Sequence, residues 1–195
     1  MKKQKFPLFL VLGICLILVS ISMVLVFQIR MDLGVQHSQM ILSSMEQILP
    51  ERTTGVPGSY LTSAMPVLEI EDEDYVAMLE VPSFDVALPV ADRWDSNNLS
   101  RSPCRFFGSA YDKTLIIGGA DALRQFGFCD KIEHGAQIII TDMTGAQFTY
   151  TVSRVDRAKH AETQWLMDSD YDLTLFCHDI YSIEYVAVRC VFAYN

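Results

Sequence analysis

Three consecutive residues late in the chain carry side chains that do chemistry. Cys177 offers a thiol nucleophile, His178 an imidazole base and Asp179 a carboxylate. The apolar residues before them predict that they end a β-strand, in which successive side chains point to opposite faces. His178 is therefore poorly placed to serve Cys177 as a base. The same geometry argues against a metal site, because three consecutive residues cannot all converge on one ion.

The other histidines are predicted to be surface residues. His37 lies in the segment after the apolar N-terminal run, His134 in a Glu-His-Gly turn, and His160 in a polar stretch. None of them is expected to act as a general base. No sequence pattern indicates a cofactor.

The other cysteines are predicted to be structural. The chain has five cysteines and no C-x-x-C pair, which is far below the density of a disulfide scaffold. Cys15 lies in the apolar N-terminal run, and Cys129 is expected to pack in the core. Cys104 and Cys190 are expected to be either buried thiols or one disulfide, and the sequence leaves both open.

The elements that must position Cys177 and His178 are short strands. Runs of apolar or alternating residues, separated by turn residues, predict strands at 75–81, 86–90, 115–117, 136–141, 147–155, 173–176 and 185–192. Helical material in this region is limited to short segments at 122–128 and 161–167. Many short strands with turns between them predict a mostly β domain over 75–195, closed into a β-barrel.

The N-terminal region predicts a membrane anchor. Residues 1–5 form a basic tail, and residues 6–27 contain no charged residue. At about 1.5 Å per residue this run is roughly 33 Å long, enough to cross a hydrocarbon core. We therefore predict one transmembrane signal anchor at 6–29. The lysines before it place the N-terminus in the cytoplasm and the rest of the chain outside.

Between anchor and barrel, residues 30–74 predict a juxtamembrane helix followed by a flexible acidic stalk. Proline and glycine recur from 50 to 66, and acidic residues crowd 69–74. The whole chain has 195 residues and a formal charge of −9, and all 24 acidic residues follow the apolar run. Such a domain would repel phosphates, which argues against nucleic-acid binding.

Several motifs of the barrel region resemble those of sortases, which are membrane-anchored cysteine transpeptidases of Gram-positive bacteria. The resemblance is carried by 76–82 (VAMLEVP), 88–90 (LPV), 102–111 (SPCRFFGSAY), 115–119 (LIIGG), 126–127 (FG), 172–176 (DLTLF) and 186–190 (VAVRC). It implies an eight-stranded β-barrel preceded by one transmembrane helix.

The resemblance also places the sortase catalytic residues on this sequence. In the family, a Cys thiolate attacks a sorting-signal peptide, a His moves protons and an Arg donates to the developing oxyanion. Here the His position is Ala120, the Cys position is His178 and the Arg position is Tyr185. No member of the catalytic triad is intact, so the resemblance implies a degenerate sortase.

Three functions remain open at this point. The favoured one is an inactive, membrane-anchored sortase-like protein that binds a sorting-signal-like peptide, a pilin or another sortase at the cell surface. The alternative is an active cysteine transpeptidase, for cell-wall anchoring or pilin assembly, that uses Cys177 after a one-residue slip. A slip would turn the strand's core residues outward unless a bulge limits the change. The third is a structural anchor whose acidic surface matters more than its cleft.

Overall fold

The computed structural model of the protein describes residues 6–95, 99, 101–121, 125–160, 162–167, 170–179 and 184–194, without the side chains of 6–9, 27–35 and 179. The helices are α1 (Phe6–Ile48), α2 (Thr163–Leu166) and a single 3₁₀ turn (Pro82–Phe84). The strands are β1 (Thr53–Thr54), β2 (Leu68–Ile70), β3 (Glu73–Val81), β4 (Val86–Ala91), β5 (Cys104–Phe107), β6 (Leu115–Ala120), β7 (Gln137–Asp142), β8 (Ala146–Ala158), β9 (Leu173–Asp179) and β10 (Glu184–Phe192).

Eight of the described strands close into a barrel. Their order around it is β3-β4-β5-β6-β9-β10-β8-β7, and β7 pairs with β3 to complete the ring. Neighbours are antiparallel except for the pairs β4/β5 and β6/β9. The prediction of a mostly β, eight-stranded barrel with short helices is confirmed. Closing the sheet leaves the barrel without free edges, and β1 and β2 add to its outside.

The barrel interior is filled by the inward side of each strand. Along β8 the residues from 146 to 152 alternate between buried and half-buried, as expected for a strand with one face in a core. Large side chains such as Phe126, Phe148 and Tyr150 are fully buried there. The interior is therefore packed with side chains.

Two local features differ from the sequence prediction. Strand β5 was not predicted, because its four residues (CRFF) include a charge and show no alternation. It joins β4 through the single register pair Ala91 and Cys104. Of the predicted helix at 122–128, residues 125–128 form turns, and 122–124 lie outside the described residues.

The two helices predicted at the N-terminus, the anchor and the juxtamembrane helix, form one continuous helix, α1. Its apolar side chains from Leu10 to Val26 are largely exposed. Near its end, Ile41 and Met45 are fully buried against Tyr75 and Cys104 of the barrel. The described residues contain no helix long and apolar enough to span a membrane.

The segment predicted as a flexible stalk lies along the barrel. Strand β1 pairs in parallel with β8, and the backbone N–H of Gly55 donates to the carbonyl of Gln147 at 2.8 Å. The ring of Tyr60 stacks on Tyr111 with 3.7 Å between centroids, and Met65 is buried in the core. This segment is rich in polar residues and glycine, but it packs on the barrel because a few apolar side chains and backbone hydrogen bonds attach it there.

Candidate functional site

The three positions where the sortase catalytic residues are expected lie side by side. Ala120 ends β6 and is the register partner of His178 on β9, and His178 is in turn the partner of Tyr185 on β10. The His178 and Tyr185 rings meet edge to face with 4.8 Å between centroids. His178 is exposed, whereas Ala120 and Tyr185 are half-buried. The adjacent strands β6, β9 and β10 thus bring these three residues together on the outer face of the barrel, at the end where β6 and β9 finish.

Cys177 lies on the other side of the sheet. It belongs to the interior cluster with Leu175 and is 3% exposed, while its neighbour Phe176 packs in the outer cluster. Its Sγ donates to the carbonyl oxygen of Phe126 at 3.9 Å. The expectation that Cys177 and His178 face apart agrees with this geometry, so His178 cannot act as its base in this structure.

A small pocket leads to Cys177 from the barrel rim. It has a volume of about 160 Å³. Its lining residues are Asp121, Phe126, Gly127, Asp130, Lys131, Cys177 and Val186. The Cys177 thiol therefore has a route to solvent that does not pass through the His178 face.

The outer face beside His178 is covered by an aromatic cluster. Trp94 stacks on Phe176 at 5.5 Å and meets Phe106 edge to face at 5.3 Å between centroids. Gly118 lies directly beneath this pair, since an added Cβ would come within 2.3 Å of the Trp94 ring. The absence of a side chain at this position leaves room for the indole to approach the sheet this closely. Trp94 was not singled out from the sequence, because nothing in its local pattern connects it to β6 and β9.

At the far end of the same face, the surface opens into a hollow of about 330 Å³. Ile116 of β6 and Thr174 of β9, which are register partners, form part of its wall. Exposed apolar side chains at its rim are Phe107 (47% exposed) and Met167 (38% exposed). The rest of its lining is mixed, since Asp112, Lys113 and Asp172 also contribute to the wall.

Arg189 organises the loop that borders this hollow. Its side chain is fully buried, and Nη1 donates to the Leu166 carbonyl at 2.9 Å and to Thr174 Oγ1 at 3.1 Å. Nη2 donates to the Trp165 carbonyl, and Nε donates to Asp156 Oδ2 at 3.3 Å. One guanidinium therefore ties α2 to both β8 and β9. The sequence indicated this role only by the presence of an arginine within the apolar strand β10, and a structural role for Arg189 was not predicted.

The remaining histidines lie elsewhere. His37 Nδ1 is 3.8 Å from Glu71 Oε2, and His134 and His160 are exposed. Across the described residues, no group of three or more His, Cys, Asp or Glu side chains is arranged to hold a metal ion. The side chain of Asp179, the third member of the Cys-His-Asp run, lies outside the described residues.

The other barrel cysteines are free thiols. Cys104 and Cys190 lie in different clusters and form no disulfide with each other. Burial raises the pKa of both thiols above the usual cysteine value. These two side chains therefore stay protonated near neutral pH and act as small apolar residues.

Comparisons by sequence found no relative. No protein-family model matches the chain, and no curated protein matches it.

Comparisons by structure found sortases. Sortase A from Corynebacterium diphtheriae is similar over 85% of this chain and 85% of its own, with 19% identity and a TM-score of 0.55. Sortase C1 from Streptococcus agalactiae covers 71% of this chain and 74% of its own, with 20% identity and a TM-score of 0.56. A Clostridium perfringens sortase D5 transpeptidase covers 62% and 80%, with 18% identity and a TM-score of 0.54. The chain therefore has the sortase fold.

Proposed function

We propose that this protein is a sortase-like protein without transpeptidase activity that binds an extended peptide or a protein partner at the cell surface. The observation that carries the proposal is the register of β6, β9 and β10. It puts Ala120, His178 and Tyr185 together at the end of one face, where the sortase motifs carry His, Cys and Arg.

Chemistry supports the loss of activity. Alanine cannot move a proton, and a histidine in place of the thiol cannot form the thioester on which transpeptidation depends. A tyrosine hydroxyl can donate one hydrogen bond to an oxyanion but lacks the positive charge of a guanidinium. The side chain of Tyr185 is also engaged with the His178 ring.

Surface shape supports a binding role. Between the hollow and the His178 end, the outer face of β6 and β9 is covered by Trp94, whose side chain is 40% exposed. An extended peptide would place apolar side chains against Phe107 and Met167 at the hollow, cross the exposed surface of Trp94 and reach the His178 end. A sorting-signal-like peptide, a segment of a pilin and a segment of another sortase are the candidate ligands.

Membrane attachment through α1 is part of the proposal. Its support is the uncharged run at 6–27 and the exposed apolar side chains from Leu10 to Val26. The basic tail before this run favours a cytoplasmic N-terminus, with the barrel outside the cell membrane of a Gram-positive bacterium.

The first experiment tests reaction. The full-length chain is mixed with sorting-signal peptides that carry an electrophile at the scissile position, and the intact mass is recorded. We expect no adduct that depends on the sorting signal, while an active sortase treated in parallel is labelled. An adduct that forms with the sorting-signal peptide, does not form with a scrambled peptide carrying the same electrophile, and is abolished by Cys177→Ala would overturn the proposal in favour of a transpeptidase using Cys177.

The second experiment tests binding on the proposed face. Met167→Glu and Val191→Glu are matched, since each side chain is 38% exposed and only Met167 lines the hollow. With fluorescently labelled sorting-signal peptides, we expect Met167→Glu to weaken binding at least tenfold and Val191→Glu to leave it unchanged. Equal effects of the two variants would move the binding site away from this face.

A further inference from the structure

Two cysteines approach each other inside the barrel, next to the rim pocket. The carbonyl oxygen of Phe126 accepts the backbone N–H of Cys129 at 2.9 Å and the Cys177 thiol at 3.9 Å. Both side chains belong to the interior cluster, with Cys129 0% and Cys177 3% exposed. One oxygen atom thus holds the backbone of one cysteine and the sulfur of the other.

The electrostatics of Cys129 supports this proximity. Burial raises the pKa of its thiol well above the usual value, and the neighbouring Cys177 thiol raises it further. Cys190 contributes less, and its own Sγ donates to the carbonyl oxygen of Val188 at 3.9 Å. Among the cysteines of the described residues, Cys177 thus has the larger effect on the pKa of Cys129.

Access differs between the two thiols. Cys177 lines the rim pocket of about 160 Å³, together with Asp121, Asp130 and Lys131. Cys129 is not part of the pocket lining and is completely buried. A small reagent entering this pocket meets Cys177, whereas Cys129 is not among the described residues that line it.

We propose that Cys129 and Cys177 form a redox-active dithiol that a low-molecular-weight disulfide oxidises through the rim pocket. The Cys177 thiolate attacks one sulfur of the external disulfide, whose other half leaves as a thiol after taking up the Cys177 proton. Cys129 then attacks the Cys177 sulfur of this mixed disulfide, and the second half leaves as a thiol with the Cys129 proton. Because burial raises the pKa of the Cys129 thiol, this second step is the slow one, and its rate should increase with pH. Two protein thiols and one disulfide thus become one protein disulfide and two small thiols.

The oxidised form would differ from the reduced form in two ways. A Cys129–Cys177 bond would tie the turns at 125–131 to β9, next to the His178 end of the outer face. It would also block the Cys177 thiol that the alternative function needs as a nucleophile. The inference does not depend on the proposed function, because it requires only the two thiols and the pocket.

The test uses the full-length chain with Cys15→Ala, which removes the exposed helix cysteine. Folded protein is incubated with oxidised glutathione, and the product is examined by intact mass and by peptide mapping. We expect loss of two hydrogen atoms and a Cys129–Cys177 cross-link that reductant reverses. Cys190→Ala, which removes the third interior thiol, is the matched control and should form the same cross-link.

The single variants test the order of attack. Cys129→Ala should accumulate one glutathione on Cys177, because the resolving thiol is missing. Cys177→Ala should take up no glutathione at Cys129 while folded. A cross-link that involves Cys190 would overturn the proposal, and so would glutathione on Cys129 in the folded Cys177→Ala variant. The proposal is also overturned if the folded chain is not oxidised under conditions in which the urea-unfolded chain reacts fully. Near-UV circular dichroism verifies that each variant is folded.

Discussion

The two ends of the outer face of β9 and β10 have the same strand pairing but differ in how far their polar side chains are buried. At one end the register pair is Thr174 and Arg189, and at the other it is His178 and Tyr185. Arg189 is fully buried and every arm of its guanidinium has a protein partner, whereas the His178 side chain is exposed. A buried polar group destabilises the fold when its partners are lost, whereas an exposed one can be changed at little cost. Under the proposed function, the Arg189 end stabilises the fold and the His178 end would contact the ligand.

The largest effect is expected from Arg189→Met. The change leaves the Trp165 and Leu166 carbonyls without their donor and Asp156 without its buried partner, which should cost about 3 kcal/mol of unfolding free energy. Urea denaturation of the full-length chain measures it. Arg154→Met is the matched control, because Arg154 also binds Asp156 but its side chain is 54% exposed. A similar loss in both variants would show that burial of Arg189 is not the cause.

A smaller loss is expected in the middle of the face, from Gly118→Ala. The new Cβ would meet the Trp94 ring at 2.3 Å and the Phe176 ring at 2.7 Å, so the indole must move. We expect a cost of about 2 kcal/mol and red-shifted emission from Trp94. The emission is measured in a Trp165→Phe background, which leaves Trp94 as the reporter. Gly13→Ala, with nothing within 4 Å of its added Cβ, should not destabilise the fold.

Thr174→Val tests one bond of the buried end. It keeps the shape of the side chain and removes the oxygen that accepts from Arg189 Nη1 at 3.1 Å. Since Nη1 still donates to the Leu166 carbonyl, the loss should be about 1 kcal/mol. Thermal unfolding compares it with Thr149→Val on β8, a half-buried threonine for which no change is expected. A loss as large as that of Arg189→Met would mean that the arginine depends on this single bond.

The smallest effect is expected from His178→Ala. Its side chain is exposed, and its ring contact with Tyr185 lies at the surface, so the free energy of unfolding should change by less than about 0.5 kcal/mol. Chemical denaturation measures the change. A loss above about 1 kcal/mol would contradict the comparison, because this end would then hold the fold together as Arg189 does.

The barrel could be predicted from the sequence because its strands are apolar or alternating and end at clear turns. Residues 147–155 and 185–192 show this pattern, and both lie inside observed strands. Strand β5 could not be predicted, since residues 104–107 depend on pairing with β6 rather than on their own pattern. The docking of Tyr60 on Tyr111 could not be predicted either, because it joins residues far apart in sequence.

Within the candidate site, strand period alone predicted that Cys177 and His178 face apart. The motif resemblance indicated Ala120, His178 and Tyr185, and the register of three strands is what brings them together. The proximity of Cys129 and Cys177 could not be predicted from the sequence. It arises because the turn containing Phe126 folds back over the end of β9.

The continuous helix α1 has a mechanical consequence. It spans 43 residues, and at about 1.5 Å per residue it is roughly 64 Å long. Its last turns are locked to the barrel by Ile41 and Met45 and by the Ser38 hydroxyl, which donates to the Arg101 carbonyl at 2.8 Å. Because these contacts fix the end of the helix to the barrel, a change in the direction of that helix end would also change the direction in which the His178 face points.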